Sequence, residues 1–424
     1  MLLAQVRFRY HRGDRAAAAR VSSPPTSAPA RDRTFDFPIR WSTIRGGLDP
    51  WIVGPVFVLL SLGLVMVFSA SAFIAERDYG SHGHYLWRQA VFALIGLAVM
   101  ALAALVDYRV TLRFTYPLVV LVLALLALVL VSPFGHAVGG ARRWLVVGNM
   151  TIQPAEFAKP ALILYLAQLL PRKGAAIRSF SQGLLPALIV LGVVLVLLLL
   201  EPDLGTALLL AGVVVAILVA AGAWLPHVAL LGLLSVPVLL GLIWNVAYRR
   251  RRLLTFLDPW ADPSDAGFQI VQSFLAFASG GAWGVGLGDG RQKLFFLPEP
   301  HTDFIFSVIG EELGLVGTIA AMAAVAVLIW RAVAVARRTA DPRGALLAFG
   351  VAALLGGQSL IHMGVAVGIL PTKGLPLPLV SYGGSSLTAT MLCIGLLLSV
   401  AAPRHVSAAD SAADGLSVRA GRIT

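Results

Sequence analysis

Residues 183–222 read GLLPALIVLGVVLVLLLLEPDLGTALLLAGVVVAILVAAG, two apolar runs separated by a short polar turn. Each run is close to the roughly 20 residues that a helix needs to cross about 30 Å of hydrocarbon. Similar apolar blocks recur along most of the chain. We therefore predict an all-α, polytopic membrane protein with about ten transmembrane helices. The blocks are residues 52–74, 88–106, 111–132, 154–170, 183–200, 204–222, 226–247, 304–330, 345–369 and 379–402.

Composition supports a membrane protein and argues against several other classes. The 424 residues are 58% hydrophobic and 13% charged, and the mean hydropathy is +0.84, more than a soluble core requires. The net charge of +12 is not arranged as a basic, aromatic-rich face on a soluble module, so nucleic-acid binding is not indicated. The single cysteine, Cys393, lies in the last apolar block, which leaves neither a disulfide framework nor a thiolate metal site.

Loop charges predict the orientation. The short loops 107–113, 171–178 and 331–343 carry more basic residues than the loops that alternate with them, so the positive-inside rule places both tails in the cytoplasm. The expected organisation is a disordered cytoplasmic N-terminal tail, a ten-span membrane domain with one large extracytoplasmic loop, and a cytoplasmic C-terminal tail. These are residues 1–50, 51–402 (loop 248–303) and 403–424.

The large loop has two features of its own. Its aromatic and apolar content predicts short interfacial or re-entrant helices rather than disorder. It also begins with four arginines, Arg249–Arg252, on the side where the positive-inside rule expects few. Anionic headgroups of the outer leaflet are one partner for them, and the sequence offers no other explanation.

Residues 291–312, RQKLFFLPEPHTDFIFSVIGEE, place many ionisable groups at the edge of an apolar segment. Such groups are costly in hydrocarbon, so this stretch is where we expect chemistry. Asp303 has two compatible interpretations: with Thr302 it could cap the next helix, or it could be a catalytic carboxylate. Glu311 and Glu312 lie two turns further on, where at least one requires a partner or water.

Two other acidic motifs also leave alternatives open. In QPAEFAKP, Glu156 and Lys159 share one helical face, as a structural ion pair or as part of a charged pocket. In EPDLGT, Glu201 and Asp203 are interpreted as caps of a tight turn.

Cations on the outer side are candidates for binding phosphate. Arg142, Arg143, Arg291 and Lys293 lie on the same predicted side as Asp303, as solvated loop charges or as groups that neutralise a pyrophosphate. The glycines between residues 280 and 290 lack the GK[ST] ending of a phosphate loop. The stretch LPTKGLPLPLVSYGGSS, residues 370–386, is interpreted as a rigid loop that enters the last span by close packing.

Six strings together resemble the SEDS family of cell-wall polymerases, in that family's order and across roughly residues 50–402. The match is specific because several long motifs agree, and it favours the division-type over the elongation-type members. Pro300 and the pair Asp289–Gly290 depart from the usual residues. The strings are GARRW, QPAEFAKP, EPDLGT, LTFLDPWADP, SGGAWGVGLGDGRQKLFFLPEPHTDFIFSVIGEELG and LPTKGLPLPLVSYGGSS.

The resemblance implies a peptidoglycan glycosyltransferase that polymerises lipid II at the outer face of the bacterial inner membrane, at the division septum. It implies work with a cognate class B penicillin-binding protein, a transpeptidase, and with other divisome membrane proteins. The family's essential aspartate matches Asp303, and its EFAK residues match Glu156 and Lys159. These three are the candidate catalytic residues. The candidate substrate-binding residues are Arg142, Arg143, Arg291, Lys293, His301, Lys373 and Ser385.

On this hypothesis Asp303 is a general base that removes the proton from the acceptor's 4-hydroxyl, with lipid pyrophosphate as the leaving group. Nearby cations or a divalent metal should stabilise that group, and the sequence assigns no metal ligand. Alternatives are a lipid-linked precursor flippase that uses Glu156, Lys159 and Asp303, an elongation-type polymerase, and a non-catalytic divisome scaffold.

Overall fold

The structure, a computed structural model, describes residues 48–131, 135–138, 141–148, 150–263, 265, 267–294 and 297–402. The predicted tails 1–50 and 403–424 lie outside this part of the chain, apart from residues 48–50. The helices are α1 (Pro50–Tyr79), α2 (His84–Leu105), α3 (Tyr108–Arg113), α4 (Thr115–Val131), α5 (Pro154–Lys173), α6 (Leu185–Leu200), α7 (Leu204–Ala220), α8 (Leu225–Trp244), α9 (Ala247–Leu257), α10 (Phe268–Gly280), α11 (Ile305–Glu312), α12 (Gly314–Arg338), α13 (Pro342–Ala366) and α14 (Gly384–Ala401). The strands are β1 (Gly135–Val138), β2 (Ala141–Val147) and β3 (Met150–Ile152).

Every predicted apolar block is largely helical, so the expected polytopic, helical membrane fold is confirmed. Among the described residues, seven helices are long and apolar enough to cross a membrane: α1, α2, α8, α12, α13, α14, and α6 with the π-helical turn before it. The helices α4 and α7 are apolar but shorter, at 17 residues each. The remaining block forms α5, which has 20 residues and carries Glu156 and Lys159.

The bundle is built around α5, α13 and α14. In α13 and α14, 78% of the most apolar stretch is buried against other helices, whereas in α8 none of it is. The last helix, α14, packs along α2, and α13 packs against α5, α7 and α12. Close approach requires a glycine at Gly63 of α1, because a Cβ there would lie 2.7 Å from the carbonyl oxygen of Leu379. The loop before α14 is thereby held against α1.

Polar contacts define the two ends of the bundle. At the proximal end, where α1 begins and α14 finishes, Arg331 contacts Asp49 at 2.6 Å and the Tyr108 hydroxyl donates to Asp341. At the distal end lie the turn 201–203, the three strands, the described residues of the segment 245–304 and the loop 367–383. The candidate residues other than the Glu156–Lys159 pair belong to segments at this distal end.

Several predicted boundaries are wrong. The helix α1 continues to Tyr79 rather than ending at 74, and α14 begins at Gly384 rather than at 379. The block 304–330 is broken into α11 and α12 at Leu313, where Gly314 adopts a positive φ of 66°, and α12 then continues to Arg338. Residues 331–338 are thus helical rather than a loop. The prediction ended too early because the apolar block marks only the part of the helix inside the membrane, and a helix can continue beyond it.

The large loop contains the predicted short helices, α9 and α10. No strands were predicted between residues 133 and 153, but the described residues there include β1, β2 and β3, which pair as an antiparallel sheet in the order β1-β2-β3. Backbone pairing within the sheet satisfies groups that would otherwise lie unpaired at the membrane surface.

Candidate active site

A groove of about 630 Å³ opens at the distal end, between α7, the α8–α9 junction and the loop 371–374. One part of its wall is apolar, with Leu208 from α7 and Leu239 and Ile243 from α8. The charged residues that line it are Arg143, Asp203, Arg249, Arg252, Asp303 and Lys373. A groove that is apolar on one side and cationic on the other suits an amphipathic anion.

Asp303 reaches this groove from the loop before α11. Neither Asp303 nor Thr302 caps that helix: the N-cap position is Phe304, which makes no side-chain capping hydrogen bond, so the capping interpretation is wrong. The pKa of Asp303 is raised to about 7, mainly by burial and also by Glu299, while Arg252 and Arg143 oppose the rise. At neutral pH the carboxyl group can therefore both accept and release a proton.

The backbone just before Asp303 is clamped by the segment that leads into α14. The Tyr382 amide donates to the carbonyl oxygen of His301 at 2.9 Å, and the Ser381 hydroxyl donates to the carbonyl oxygen of Thr302 at 2.7 Å. Gln89 of α2 holds this segment in turn, by donating to the Ser381 carbonyl oxygen. The position of Asp303 is thus fixed by two parts of the chain that are distant from it in sequence.

Arg143 and Lys373 are the two predicted cations that line the groove with Asp303. The guanidinium of Arg143 donates to the carbonyl oxygens of Glu201 and Pro202, at 2.9 and 2.7 Å. The pKa of Lys373 is lowered to about 8, mainly by burial and also by the positive charges of Arg252 and Arg249, while Asp203 opposes the shift. Lys373 is still mainly protonated at pH 7.

Glu156 and Lys159 are buried in the bundle and are not among the residues that line the groove. The Lys159 ammonium lies 2.7 Å from both carboxylate oxygens of Glu156 and 3.2 Å from the amide oxygen of Gln358. The nitrogen of Gln358 donates to the carbonyl oxygen of Pro376 at 2.7 Å. The ion pair is therefore linked, through one side chain, to the loop that carries Lys373.

Lys293 is also buried, in a second ion pair away from the groove. Its ammonium lies 2.6 Å from Glu312 Oε1 and also donates to the Ser69 hydroxyl and the Gly288 carbonyl oxygen. Glu311 accepts the backbone amide of Arg291 at 2.7 Å. Glu311 thus binds backbone amides just after the glycine-rich loop, and Glu312 pairs with Lys293, so Lys293 is engaged by the protein itself.

The remaining candidate substrate-binding residues lie outside the groove. His301 is buried between the rings of Tyr85 and Tyr382, and burial lowers its pKa to about 4, which leaves it uncharged at pH 7. Ser385 accepts the backbone amide of Gln153 at 3.0 Å. Arg142 and Arg291 are exposed. None of these four residues lines the groove.

The groove also contains charged residues that the sequence did not single out for binding. Asp203 was predicted to cap a turn, and its carboxylate does accept the Thr206 amide at the start of α7, but it lines the groove as well. Arg249 and Arg252 were noticed only because they break the charge rule. That anomaly was the available signal for a site at this position.

Glu201, in the same turn, is fully buried, and neither carboxylate oxygen has a hydrogen-bond partner among the described residues. The pKa of Glu201 is raised to about 8, mainly by burial and also by the nearby Asp203, while Arg143 opposes the rise. In the described ranges, no three His, Cys, Asp or Glu side chains come together as a metal site requires, so we assign no residue to a divalent cation.

The order of these motifs and the fold that carries them match known proteins. A family model described as "Cell cycle protein", covering FtsW, RodA and SpoVE, matches residues 51–405. The chain belongs to this family. The resemblance identified from the sequence motifs is thereby confirmed.

Members of the FtsW, RodA and SpoVE family with curated descriptions are similar over most of their length. One, "Probable peptidoglycan glycosyltransferase FtsW" of Geobacter sulfurreducens, is 47% identical over 342 residues, 81% of this chain and 92% of that protein. "Stage V sporulation protein E" of Bacillus subtilis is 40% identical over 359 residues, 85% of this chain and 98% of that protein.

Solved structures of the family share the fold. One is described as "Structural coordination of polymerization and crosslinking by a peptidoglycan synthase complex". A chain of that structure is 37% identical to this one and superposes with a TM-score of 0.69. The match covers 84% of this chain and 98% of the other. The rod shape determining protein RodA of Thermus thermophilus has a TM-score of 0.62, with 34% identity, and covers 84% and 97%.

Proposed function

We propose that this protein is a peptidoglycan glycosyltransferase that polymerises lipid II into glycan strands during septal cell-wall synthesis. The family membership and the 47% identity to a protein described as a glycosyltransferase FtsW support the activity. The observation that carries the proposal is Asp303, a carboxyl group with a pKa of about 7 in a groove lined by cations. The division-type assignment rests on the FtsW relatives, since the RodA structure is less similar, at 34% identity.

Asp303 acts as the general base of a single displacement. The acceptor's 4-hydroxyl loses its proton to the Asp303 carboxylate, and its oxygen forms a bond to the donor's anomeric carbon. The bond between that carbon and the lipid diphosphate breaks, and the diphosphate leaves with the electron pair. Inversion at the anomeric carbon follows. A positioned general base typically increases the reaction rate about 10²–10⁴-fold. Arg143 and Lys373 stabilise the negative charge that develops on the leaving group.

Glu156 and Lys159 support this reaction as positioning residues, through Gln358 and the Pro376 carbonyl oxygen. They touch neither the groove nor Asp303. The loop they hold carries Lys373 and Gly374, and a Cβ on Gly374 would lie 3.0 Å from the Asp303 carboxylate. A shift in this loop would therefore have two effects at once. It would displace the Lys373 cation, and it would crowd the Asp303 carboxylate.

The protein lies in the bacterial inner membrane at the septum, with both termini in the cytoplasm and the distal end on the outer face. The loop-charge asymmetry supports this orientation. Its partners are a cognate class B penicillin-binding protein, which crosslinks the strands, and other divisome membrane proteins. The similarity to a chain from a peptidoglycan synthase complex supports such a partnership.

The test is a lipid II polymerisation assay on the purified protein, with and without the cognate transpeptidase. Wild type should produce glycan polymer, and Asp303→Asn should produce none while keeping its detergent-stable fold. The matched control is Asp289→Asn, an exposed aspartate of the same distal loop that does not line the groove. Normal polymer from Asp303→Asn refutes the base. Headgroup translocation without polymer would support a flippase, and neither activity would support a scaffold.

A further inference from the structure

The four consecutive arginines at the start of the large loop face two different environments. They lie on α9, where residues three apart share a face. Arg249 and Arg252 line the groove and are half-buried, whereas Arg250 and Arg251 are exposed. Arg251 contacts two surface carboxylates, Asp262 and Asp265. The four arginines thus form two pairs: Arg249 and Arg252 face the groove, and Arg250 and Arg251 face solvent.

The groove-facing pair is held in place before any ligand arrives. Arg252 donates to the carbonyl oxygen of Thr372 at 3.3 Å, and its guanidinium lies 4.3 Å from the centre of the Tyr248 ring. Arg249 donates to the carbonyl oxygen of Leu242, at the end of α8, at 3.1 Å. A guanidinium has five N–H donors, so each arginine keeps donors for a ligand. Preorganised arginines favour planar, bidentate recognition of phosphate.

The groove carries an excess of positive charge, which suits the binding of an anion. Arg143, Arg249, Arg252 and Lys373 outnumber the two carboxylates that line it, Asp203 and Asp303. Neither arginine of the pair has a carboxylate within ion-pair distance among the described residues. The positive side of the groove is therefore incomplete without a ligand that carries more than one negative charge.

The apolar wall beside the arginines shows which anion fits. Leu239, Ile243 and Val246 belong to α8 and the turn after it, and they line the groove next to Arg249. A soluble phosphate would leave this wall exposed. A diphosphate joined to a hydrocarbon chain would cover the wall with the chain while the arginines bind the phosphates.

We propose that Arg249 and Arg252 form the diphosphate-binding site for the polyprenyl diphosphate moiety of the glycosyl donor, with the polyprenyl chain against α8. This inference rests on the proposed function, because it assigns the donor's leaving group to one side of the groove that contains Asp303. The proposed diphosphate site explains why arginines are placed on the outer side of the membrane. In this proposal Arg249 and Arg252 are substrate-binding residues.

The experiment measures binding of farnesyl diphosphate directly, by titration of the purified full-length protein in detergent. Direct binding can be measured whether or not the protein polymerises lipid II, so failure of the proposed function and failure of this inference are distinguishable. Arg249→Ala and Arg252→Ala should each weaken binding about tenfold or more, since hydrogen bonds to charged groups are strong. Arg250→Ala is the matched control, from the same helix, and should bind as wild type does.

Two further measurements separate recognition from damage to the fold. Arg252→Lys keeps a positive charge but loses the planar fork, so it should lower the preference for farnesyl diphosphate over farnesyl monophosphate. Because Arg252 lowers the pKa of Asp303, Arg252→Ala should also move the acid limb of the polymerisation rate to higher pH, which Arg250→Ala should not do. Equal farnesyl diphosphate affinities in Arg249→Ala, Arg252→Ala and Arg250→Ala, or no binding by wild type, would overturn the proposal.

Discussion

Replacing Lys159 by methionine should destabilise the protein strongly. The Lys159 ammonium lies 2.7 Å from the Glu156 carboxylate, and the two side chains are only 2% and 4% exposed. Methionine fills a similar volume but leaves Glu156 as an unpaired charge inside the bundle. Gln358, the other partner of Lys159, would also lose a donor to its amide oxygen.

The magnitude follows from the burial of the pair. Removal of one partner of a buried ion pair typically costs about 3–5 kcal/mol, because the remaining charge is left uncompensated. Since about 1.4 kcal/mol is a factor of ten, the unfolding equilibrium should shift by roughly 10²- to 10⁴-fold. The double variant Glu156→Gln/Lys159→Met removes both charges and should recover most of this loss, because a neutral pair carries no desolvated charge.

The assay is unfolding by sodium dodecyl sulfate in mixed micelles, followed by tryptophan fluorescence. Arg172→Met is the control, an exposed basic residue near the end of the same helix. Lys159→Met should unfold at distinctly lower detergent fraction than Arg172→Met, and the double variant should lie between them. If Lys159→Met were as stable as Arg172→Met, or the double variant no more stable than Lys159→Met, this reasoning about the buried pair would be refuted.

Two further predictions concern Asp303 directly. Glu299→Gln should move the acid limb of kcat/KM for lipid II polymerisation to lower pH: Glu299 raises the pKa of Asp303, and the base acts only when ionised, above that pKa. The pH profile of Asp289→Asn is the comparison, and a shift to higher pH would contradict the assignment. Gly374→Ala should lower kcat by about tenfold or more, since the added Cβ would lie 3.0 Å from Asp303 Oδ2. The control Gly212→Ala, in α7 and outside the groove, should have little effect, because its added Cβ would have no neighbouring atom of the described residues within 4 Å; equal rates in the two variants would show that Asp303 is not crowded.

The spans could be predicted well because hydropathy is a local property. Blocks such as 345–369 needed only composition and length to be assigned, and α13 occupies Pro342–Ala366. The three strands could not be predicted, since their pairing depends on backbone partners rather than on an alternating pattern. The break at Leu313 was also missed, because a single residue interrupts an otherwise apolar block.

The candidate site could be predicted only in part, for a physical reason that the lysines illustrate. Lys293 and Lys373 were both candidate substrate-binding residues in predicted loops. The structure pairs Lys293 with Glu312 in the interior and leaves Lys373 at the groove. A charge binds a ligand only when the protein itself does not neutralise it, and that depends on which groups the fold brings near.

Sequence alone determined that this chain is a helical membrane protein of a cell-wall polymerase family, and it selected Asp303 as the candidate catalytic carboxylate. Those conclusions depend on length, polarity and residue order, which are all local. Only the tertiary structure decided which charges meet. Asp303 and Arg143 lie far apart along the chain and line one groove, as do Arg252 and Lys373. The reason is that electrostatic interactions depend on distance in space and on burial, and neither quantity is set by separation along the chain.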